Sequence, residues 1–449
     1  MGRFALLSAL LLVAVLAGCV RDWRVGDREP PNIVLIVVDT LRADHLGCYG
    51  YERPTSPNID ILADMSTVFD RAYSHSPWTM PSVASMLTGL EPRDHGISKW
   101  QDPLELHLVT LAEQLQAHGY RTGAAVSHYV LQPDYHFDQG FEVYNTAAVD
   151  LGPPHDILTS PHITRLGQKL TMQGRPEPWF VMLHYFDPHA WYQVHREHDF
   201  GPSDMDRYDG EIAYTDQYIG KLLDKLAARE QLRDTIVVLI ADHGEAFMEH
   251  GHDQHTVSLY EELIRVPFVI WVPGFEAQRL DQVVAETQLA PTLLALAGVP
   301  IPPTMAAPTI PFDEHGFLPA EDYSVFSETK QSANKQAVVE GDWKLVHDRR
   351  GRSYELYDLS ADPGEQADLH GEDKARTRDL RGRLRDHRAK PRAEVQSVDL
   401  RSETRLALEA LGYLSDDGRD VAAEDRQVES EDQQEWMIDP ELAPEPEAR

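Results

Sequence analysis

Two stretches of the sequence end a hydrophobic run with residue types that bind metal ions. Asp39 follows the β-branched run Ile33–Val38, and Asp242 and His243 follow the run Ile236–Ala241. Ligands of doubly wound α/β proteins bind at the carboxyl ends of parallel strands, so both positions predict a site. Carboxylate oxygens and an imidazole suit a divalent cation such as Ca, Mn, Mg or Zn. Taken separately, either aspartate could instead cap a helix.

Continuous hydrophobic runs alternate with helical patterns along residues 31–312. A run without polar alternation is typical of a strand buried on both faces of a parallel sheet. Further runs of this kind are Phe180–Leu183 and Phe268–Val272, and helical periodicity covers Leu111–His118, Gly210–Leu226 and Leu289–Leu296. This alternation predicts an α/β fold with a mainly parallel sheet flanked by helices.

Shorter strand patterns follow residue 312 and predict a smaller antiparallel sheet as a C-terminal subdomain. They are Tyr323–Glu328, Ala337–Val339, Trp343–His347 and Tyr354–Asp358, separated by Gly and Asp turns. From Asp416 the chain carries 13 acidic and 3 basic residues, a composition typical of disorder. The predicted organisation is a signal peptide (1–18), a tether (19–30), a catalytic domain (31–312), a C-terminal subdomain (313–415) and an acidic tail (416–449).

The overall charge limits the class of partner. The chain of 449 residues has 41 Lys and Arg against 74 Asp and Glu, a formal net charge of −33. Such a charge repels phosphate backbones, which argues against a nucleic-acid partner. The two cysteines, Cys19 and Cys48, are too few for a disulfide framework or a cysteine-based zinc module.

The N-terminal segment has the features of an export signal. A single arginine precedes the apolar run from Phe4 to Leu16, which is too short to span a bilayer comfortably. The ending Leu16-Ala17-Gly18-Cys19 resembles a bacterial lipobox, which implies cleavage before Cys19 and lipidation of that residue. We therefore expect an exported, lipid-anchored protein of the bacterial cell envelope, at its periplasmic or outer-membrane face. An uncleaved anchor and an ordinary signal are the alternatives.

Several segments, which follow one another along the chain in the family's order, resemble the sulfatase family of the alkaline phosphatase superfamily. Pro31–Gly50 resembles the family's opening, Ser76–Gly89 resembles its nucleophile segment, and Ala241–Glu245 with Leu259–Pro267 is similar to its second metal element. Further matches extend to Leu414. The resemblance implies an alkaline phosphatase-like fold and a metal-dependent enzyme that acts on anionic esters.

The resemblance makes Thr79 the nucleophile and a metal ligand, together with Asp39, Asp242 and His243. Thr79 begins a predicted helix that ends near Thr88. A hydroxyl is a poor nucleophile near neutral pH, and both a coordinated cation and a helix amino terminus favour its negative form. For Thr79 taken alone, the alternative is that it caps this helix.

Other positions depart from the usual sulfatase pattern. Sulfatases carry Cys or Ser where Thr79 stands and oxidise it to a formylglycine aldehyde, but oxidation of threonine would give a ketone. The family's arginine four residues later is Val83, its second aspartate at the first metal element is Thr40, and its Lys-x-His element retains at best His128. Formylglycine chemistry is therefore not expected.

The remaining set of acid, threonine, aspartate and histidine resembles that of lipoteichoic acid synthases and phosphoethanolamine transferases, which use a threonine nucleophile. In those relatives the first acid is a glutamate, so Asp39 is a shorter substitute. The resemblance implies attack of Thr79 on phosphorus, a phospho-threonine intermediate, and release to water or to an acceptor alcohol.

Two histidines join Thr79 as predicted catalytic residues. His189, in the loop after a buried strand, is expected to contact a substrate oxygen or to protonate the leaving group. His255 lies in the region where sulfatases place an anion-binding lysine. A second metal site, built from Asp187 or His189 with His250, His252 or His255, stays an alternative because the superfamily includes two-zinc members.

The predicted function is a metal-dependent hydrolase or transferase that acts on a small, lipid-linked or glycan-linked anionic ester. Phosphate esters are favoured over sulfate esters, one divalent metal site is expected, and the membrane is a partner through the lipid on Cys19. Two alternatives stay open. One is a sulfuric ester hydrolase without formylglycine, and the other is a catalytically silent ligand-binding lipoprotein that kept the fold.

Overall fold

The computed structural model describes residues 29–149, 158–171, 177–330 and 333–399, together with 405, 406 and 408. The signal peptide, Cys19 and the acidic tail 416–449 lie outside the described residues, so the lipidation of Cys19 stays a prediction. Within the described ranges, no helix has the length and apolar character needed to cross a membrane.

Eight strands form the central sheet. The described strands up to residue 285 are β1 (Asn32–Val38), β2 (Thr67–Tyr73), β3 (Arg121–Ala125), β4 (Val143–Asn145), β5 (Trp179–Tyr185), β6 (Thr235–Ala241), β7 (Ala246–Phe247), β8 (Asp253–Gln254), β9 (Arg265–Trp271) and β10 (Gln278–Ala285). The sheet order is β10-β2-β9-β6-β1-β5-β3-β4, while β7 and β8 pair separately. All sheet strands except β9 run in one direction, which confirms the predicted mainly parallel sheet.

Strand β9 corrects one prediction. The hydrophobic run Phe268–Val272, expected to lie in a parallel sheet, pairs antiparallel with both β6 and β2. The reason is the path of the preceding loop. After β6 the chain stays at the carboxyl end of the sheet, where the Gly244 N–H donates to the Leu263 carbonyl oxygen at 2.8 Å. Strand β9 therefore starts at that end of the sheet and runs back.

Helices pack against this sheet and bury its central strands. The α-helices within the described ranges are α1 (Pro57–Ala63), α2 (Thr79–Thr88), α3 (Pro92–His95), α4 (Leu111–Ala117), α5 (Ser160–Leu170), α6 (Asp204–Ala228), α7 (Glu261–Ile264), α8 (Leu289–Leu296) and α9 (Lys374–Ala389). Strands β5 and β6 are buried along their whole length, as the continuous hydrophobic runs predict.

A four-stranded antiparallel meander forms the predicted C-terminal sheet. Its strands are β11 (Val325–Thr329), β12 (Lys335–Glu340), β13 (Trp343–Asp348) and β14 (Ser353–Asp358). One set of its side chains packs on Tyr73, Leu259 and Leu263, and another packs on Leu380 and Leu384 of α9. The meander therefore lies between α9 and the loop that follows β6.

A buried lysine connects the meander to the loop between β6 and β9. Lys344 of β13 is inaccessible to solvent, and its Nζ lies 3.1 Å from Glu261 Oε1 and 2.9 Å from Glu365 Oε1. Burial alone would lower the pKa of Lys344, but the two carboxylates raise that pKa above its ordinary value. Because Glu261 begins α7, this charge cluster connects the meander to the loop between β6 and β9.

Replacing Lys344 with methionine is expected to destabilise the protein by about 3–5 kcal/mol, because buried carboxylates lose their cation. The matched control is Arg383→Met, which removes more exposed ion pairs with Glu340 and Asp379 and is expected to cost at most about 1 kcal/mol. Equilibrium denaturation measures both changes. Equal losses in the two variants would contradict the special role of the Lys344 cluster.

Candidate active site

Asp39, Asp242 and His243 lie together because their strands are neighbours. Strands β1 and β6 pair with Val38 opposite Ala241, so the next residue of each strand emerges at the same end of the sheet. One ligand atom from each of the three residues lies within 4.8 Å of the others, and all three side chains are buried. Across the residues that the structure describes, this is the one group of three or more such side chains with that geometry.

The donor atoms of this cluster fit a divalent cation. Both carboxylate oxygens of Asp39 and Oδ2 of Asp242 are buried without a hydrogen-bond partner among the described residues. Burial, and then the charge of Asp242, raise the pKa of Asp39 well above its ordinary value. His243 donates its Nδ1–H to the Gly244 carbonyl oxygen at 2.9 Å, so Nε2 keeps its lone pair 3.5 Å from Asp39 Oδ1. A cation would supply the charge compensation that these buried carboxylates lack.

Thr79 lies beside this cluster as the first residue of α2. Its Oγ1 is 3.4 Å from His243 Nε2, and the side chain is buried. Trp78 occupies the N-cap position, so Thr79 is not the capping residue of this helix. The hydroxyl is therefore at the positive end of the helix dipole, where developing negative charge is stabilised.

The predicted catalytic histidines lie next to the same cluster. The ring centroid of His255 is 4.6 Å from that of His243 and 4.8 Å from that of His189. The ring centroid of His128, the retained part of the Lys-x-His element, is 5.7 Å from that of His189. Burial lowers the pKa of His189 to about 3 and the pKa of His255 to about 4. These imidazoles are therefore neutral near pH 7 in the absence of a bound anion.

His184 is a site residue that the sequence pattern does not reveal. It is the sixth residue of β5, opposite Val37 of β1, and its Nε2 lies 3.6 Å from Asp39 Oδ2 and 3.9 Å from Asp242 Oδ2. The predicted strand ends at Leu183 because His184 interrupts the apolar run. The sequence feature that could have identified His184 is its position near the carboxyl end of a predicted buried strand, where ligands are expected.

Asp187 has another role than the one considered for a second metal site. Its Oδ1 accepts hydrogen bonds from the Thr159 amide and hydroxyl at 2.5 and 2.6 Å, and its Oδ2 accepts one from the Ser160 amide at 2.9 Å. These contacts satisfy the amino terminus of α5. His250 is also engaged elsewhere, since its Nδ1 lies 2.8 Å from Glu262 Oε1.

Comparison with known protein families tests the family membership that the motifs suggest. A family model described as "Sulfatase" matches residues 31–299, and one described as "N-sulphoglucosamine sulphohydrolase, C-terminal" matches residues 249–390. The chain belongs to the sulfatase family. Delta 4,5-hexuronate-2-O-sulfatase of Bacteroides thetaiotaomicron is 25% identical over 464 residues, which cover 87% of this chain and 95% of that protein. Arylsulfatase A of Homo sapiens is 29% identical over 350 residues, which cover 65% and 68%.

Solved structures share the fold of this sulfatase-family chain. A protein in complex with its substrate D-glucosamine-2-N,6-O-disulfate has a TM-score of 0.69 and 19% identity, covering 80% of this chain and 98% of that one. The phosphonate monoester hydrolase of Agrobacterium radiobacter has a TM-score of 0.68 and 19% identity, covering 80% and 95%. Together with the family match, this confirms the predicted fold and a sulfatase-like ester hydrolase.

Two aspartate substitutions separate metal binding from fold stability in this sulfatase-family protein. Replacing a residue that only hydrogen-bonds to a metal ligand weakens metal binding by roughly 10–100-fold. Asp39→Asn, which changes a ligand itself, is expected to weaken Mn²⁺ or Ca²⁺ binding by more than that. It is expected to leave the Tm of the EDTA-treated protein unchanged or raised, because a buried carboxyl group that lacks a compensating cation is removed. Asp187→Asn is expected to keep the metal affinity and to lower Tm, because it weakens the contacts to α5.

Titration calorimetry with each metal ion and thermal unfolding after EDTA treatment measure the two effects. Unchanged metal affinity in Asp39→Asn, or loss of affinity in Asp187→Asn, would contradict the assignment of the ligand cluster.

Proposed function

We propose that this protein cleaves a phosphate ester with Thr79 as the nucleophile, and that Asp39, Asp242 and His243 hold one divalent metal ion. The observation that carries the proposal is the Thr79 hydroxyl at the start of a buried helix, 3.4 Å from His243 Nε2. A bound divalent ion would lower the pKa of this hydroxyl and offset the charge of the substrate oxygens. The chemistry then needs no modified residue.

The residue type supports a route without formylglycine. Threonine carries a methyl group on its carbinol carbon, so its oxidation gives a ketone instead of the aldehyde. Val83, buried in α2, stands where the family's arginine supports the oxidised nucleophile. The two features that serve the aldehyde are therefore both replaced, whereas an unmodified hydroxyl can attack phosphorus directly.

The charge of the ligand set supports a phosphate ester. Thr40 stands where the family has a second aspartate, and its backbone N–H donates to Asp242 Oδ1 at 3.2 Å. The negative charges of Asp39 and Asp242 are matched by one divalent ion. A phosphate monoester carries more negative charge than a sulfate ester, so each additional carboxylate repels it more strongly. Its binding therefore benefits more from threonine in place of the family's second aspartate.

The proposed reaction consists of two displacements at phosphorus. In the first, Thr79 Oγ1 bonds to phosphorus, the bond to the leaving alcohol breaks, and His189 carries the Thr79 proton to that alcohol. In the second, water or an acceptor alcohol bonds to phosphorus and the Thr79 ester bond breaks. His255 carries the proton of the attacking group back to Thr79, so the enzyme returns to its starting state.

Sulfuric ester hydrolysis without formylglycine is the second candidate. The curated relatives are named sulfatases, and several of those names refer to sulfated sugars. We therefore propose a sugar-linked or lipid-linked anionic ester as the substrate class and use matched aryl esters to distinguish phosphate from sulfate. The family match and the sulfatase relatives argue against the remaining alternative, a catalytically silent binding protein, and turnover of any of these esters would exclude it.

Thr79→Ala is expected to lower kcat on aryl phosphate by roughly 10³-fold or more, because the nucleophile is lost. The matched control Thr79→Ser keeps a hydroxyl at the same position and is expected to stay within about tenfold of the wild type. Steady-state rates on aryl phosphate, aryl phosphodiester and aryl sulfate with saturating metal ion measure both variants.

Turnover of aryl sulfate alone would favour the second candidate over the phosphate preference. Undiminished turnover by Thr79→Ala would exclude Thr79 as the nucleophile for whichever ester is cleaved.

A further inference from the structure

A buried glutamate and histidine pair lies in the loop that follows β6. His255 donates its Nδ1–H to Glu245 Oε1 at 2.9 Å, and both side chains are buried. Nothing in the ligand cluster or in the two displacements described above gives Glu245 a role.

The backbone of Glu245 is fixed relative to the metal ligands. Glu245 follows the candidate ligand His243 by two residues, and Gly244 between them packs so closely that a Cβ would lie 2.0 Å from the Glu262 carbonyl oxygen. Arg42, from the loop after β1, donates its Nη1–H to the Glu245 carbonyl oxygen at 3.0 Å. The Glu245 carboxylate therefore extends from a backbone position that is held from two sides.

The contact with Glu245 determines which nitrogen of His255 can accept a proton. A hydrogen bond from Nδ1–H to a carboxylate favours the tautomer in which Nε2 carries the lone pair. The ring lies between the two other imidazoles of the site, with centroids 4.6 Å from His243 and 4.8 Å from His189. Without the carboxylate, this ring could take the other tautomer or rotate.

We propose that Glu245 is a positioning residue that acts through His255, by fixing the tautomer and the orientation of its imidazole for the second displacement. The inference deepens the proposed function and rests on it, because it takes the proton-carrying role of His255 from there. The general precedent is a carboxylate that orients a histidine without itself reacting.

The same loop supplies a matched pair for comparison. His250 Nδ1 lies 2.8 Å from Glu262 Oε1, and its ring stacks on Tyr260 with centroids 3.7 Å apart. Its Nε2 lies 3.2 Å from the Glu365 carbonyl oxygen, so this pair contacts the C-terminal part of the chain and not the metal cluster. It has the same residue types and the same Nδ1–carboxylate contact in a different place.

A double-mutant cycle in the full-length, metal-loaded protein tests the proposal, with the aryl ester that the wild type cleaves fastest. Glu245→Ala and His255→Ala are each expected to lower kcat by roughly 10²-fold with little change in KM. The double variant is expected to match His255→Ala within about threefold, because Glu245 acts through the His255 imidazole, which is already absent in His255→Ala. Glu245→Gln, whose amide oxygen still accepts the Nδ1–H, is expected to recover most of the rate, and the control Glu262→Ala is expected to keep it.

The ¹⁵N chemical shifts of the His255 ring, assigned by comparison with His255→Ala, provide a measurement that does not depend on turnover. The Nδ1–H tautomer is expected in the wild type and in Glu245→Gln, and its loss is expected in Glu245→Ala. Losses that multiply in the double variant, or an unchanged tautomer in Glu245→Ala, would overturn the proposal.

Different results would reject the nucleophile role of Thr79 and the positioning role of Glu245. If Thr79→Ala stays active while Glu245 and His255 remain fully coupled, the nucleophile is wrong and the positioning role stands. If Thr79→Ala is inactive while His255→Ala is fully active, the nucleophile stands and the role of Glu245 is wrong.

Discussion

Two carboxyl groups buried side by side are the constraint on which the rest of this site depends. Asp39 and Asp242 leave adjacent parallel strands at the same end of the sheet, and three of their four oxygens lack hydrogen-bond partners among the described residues. Burial of unpaired carboxylates costs on the order of several kcal/mol for each ion. A fold can keep such a pair when a cation compensates it, so metal binding at this edge and the stability of the edge are linked.

The surrounding elements complete the site with a helix amino terminus and with neutral imidazoles. Helix α2 directs the positive end of its dipole toward Thr79, and the loops after β5 and β6 contribute neutral imidazoles from His189 and His255. The C-terminal meander supports the second loop through Lys344 and Glu261. Groups from separate parts of the chain are thus held in place, as the proposed mechanism requires.

The sequence predicts this arrangement best where a chemical residue follows a continuous hydrophobic run, as Asp39 and Asp242 do. It predicts less where the pattern is broken, so strand β3 with its central Gly123 is missed and the predicted strand that ends at Leu183 stops one residue before His184. The direction of β9 depends on the path of the preceding loop, which no local pattern records. Asp187 has the residue type of a metal ligand, and its contacts to a helix that starts 27 residues earlier are visible only in three dimensions.

Intact-mass spectrometry of the metal-loaded protein, quenched during the first turnover of an aryl phosphate, tests the central claim most directly. We predict the added mass of one phosphoryl group on the wild-type chain, mapped by fragmentation to Thr79 and absent from Thr79→Ala. A chain that turns over the ester without ever carrying this group, or that carries it on another residue, would contradict covalent catalysis by Thr79.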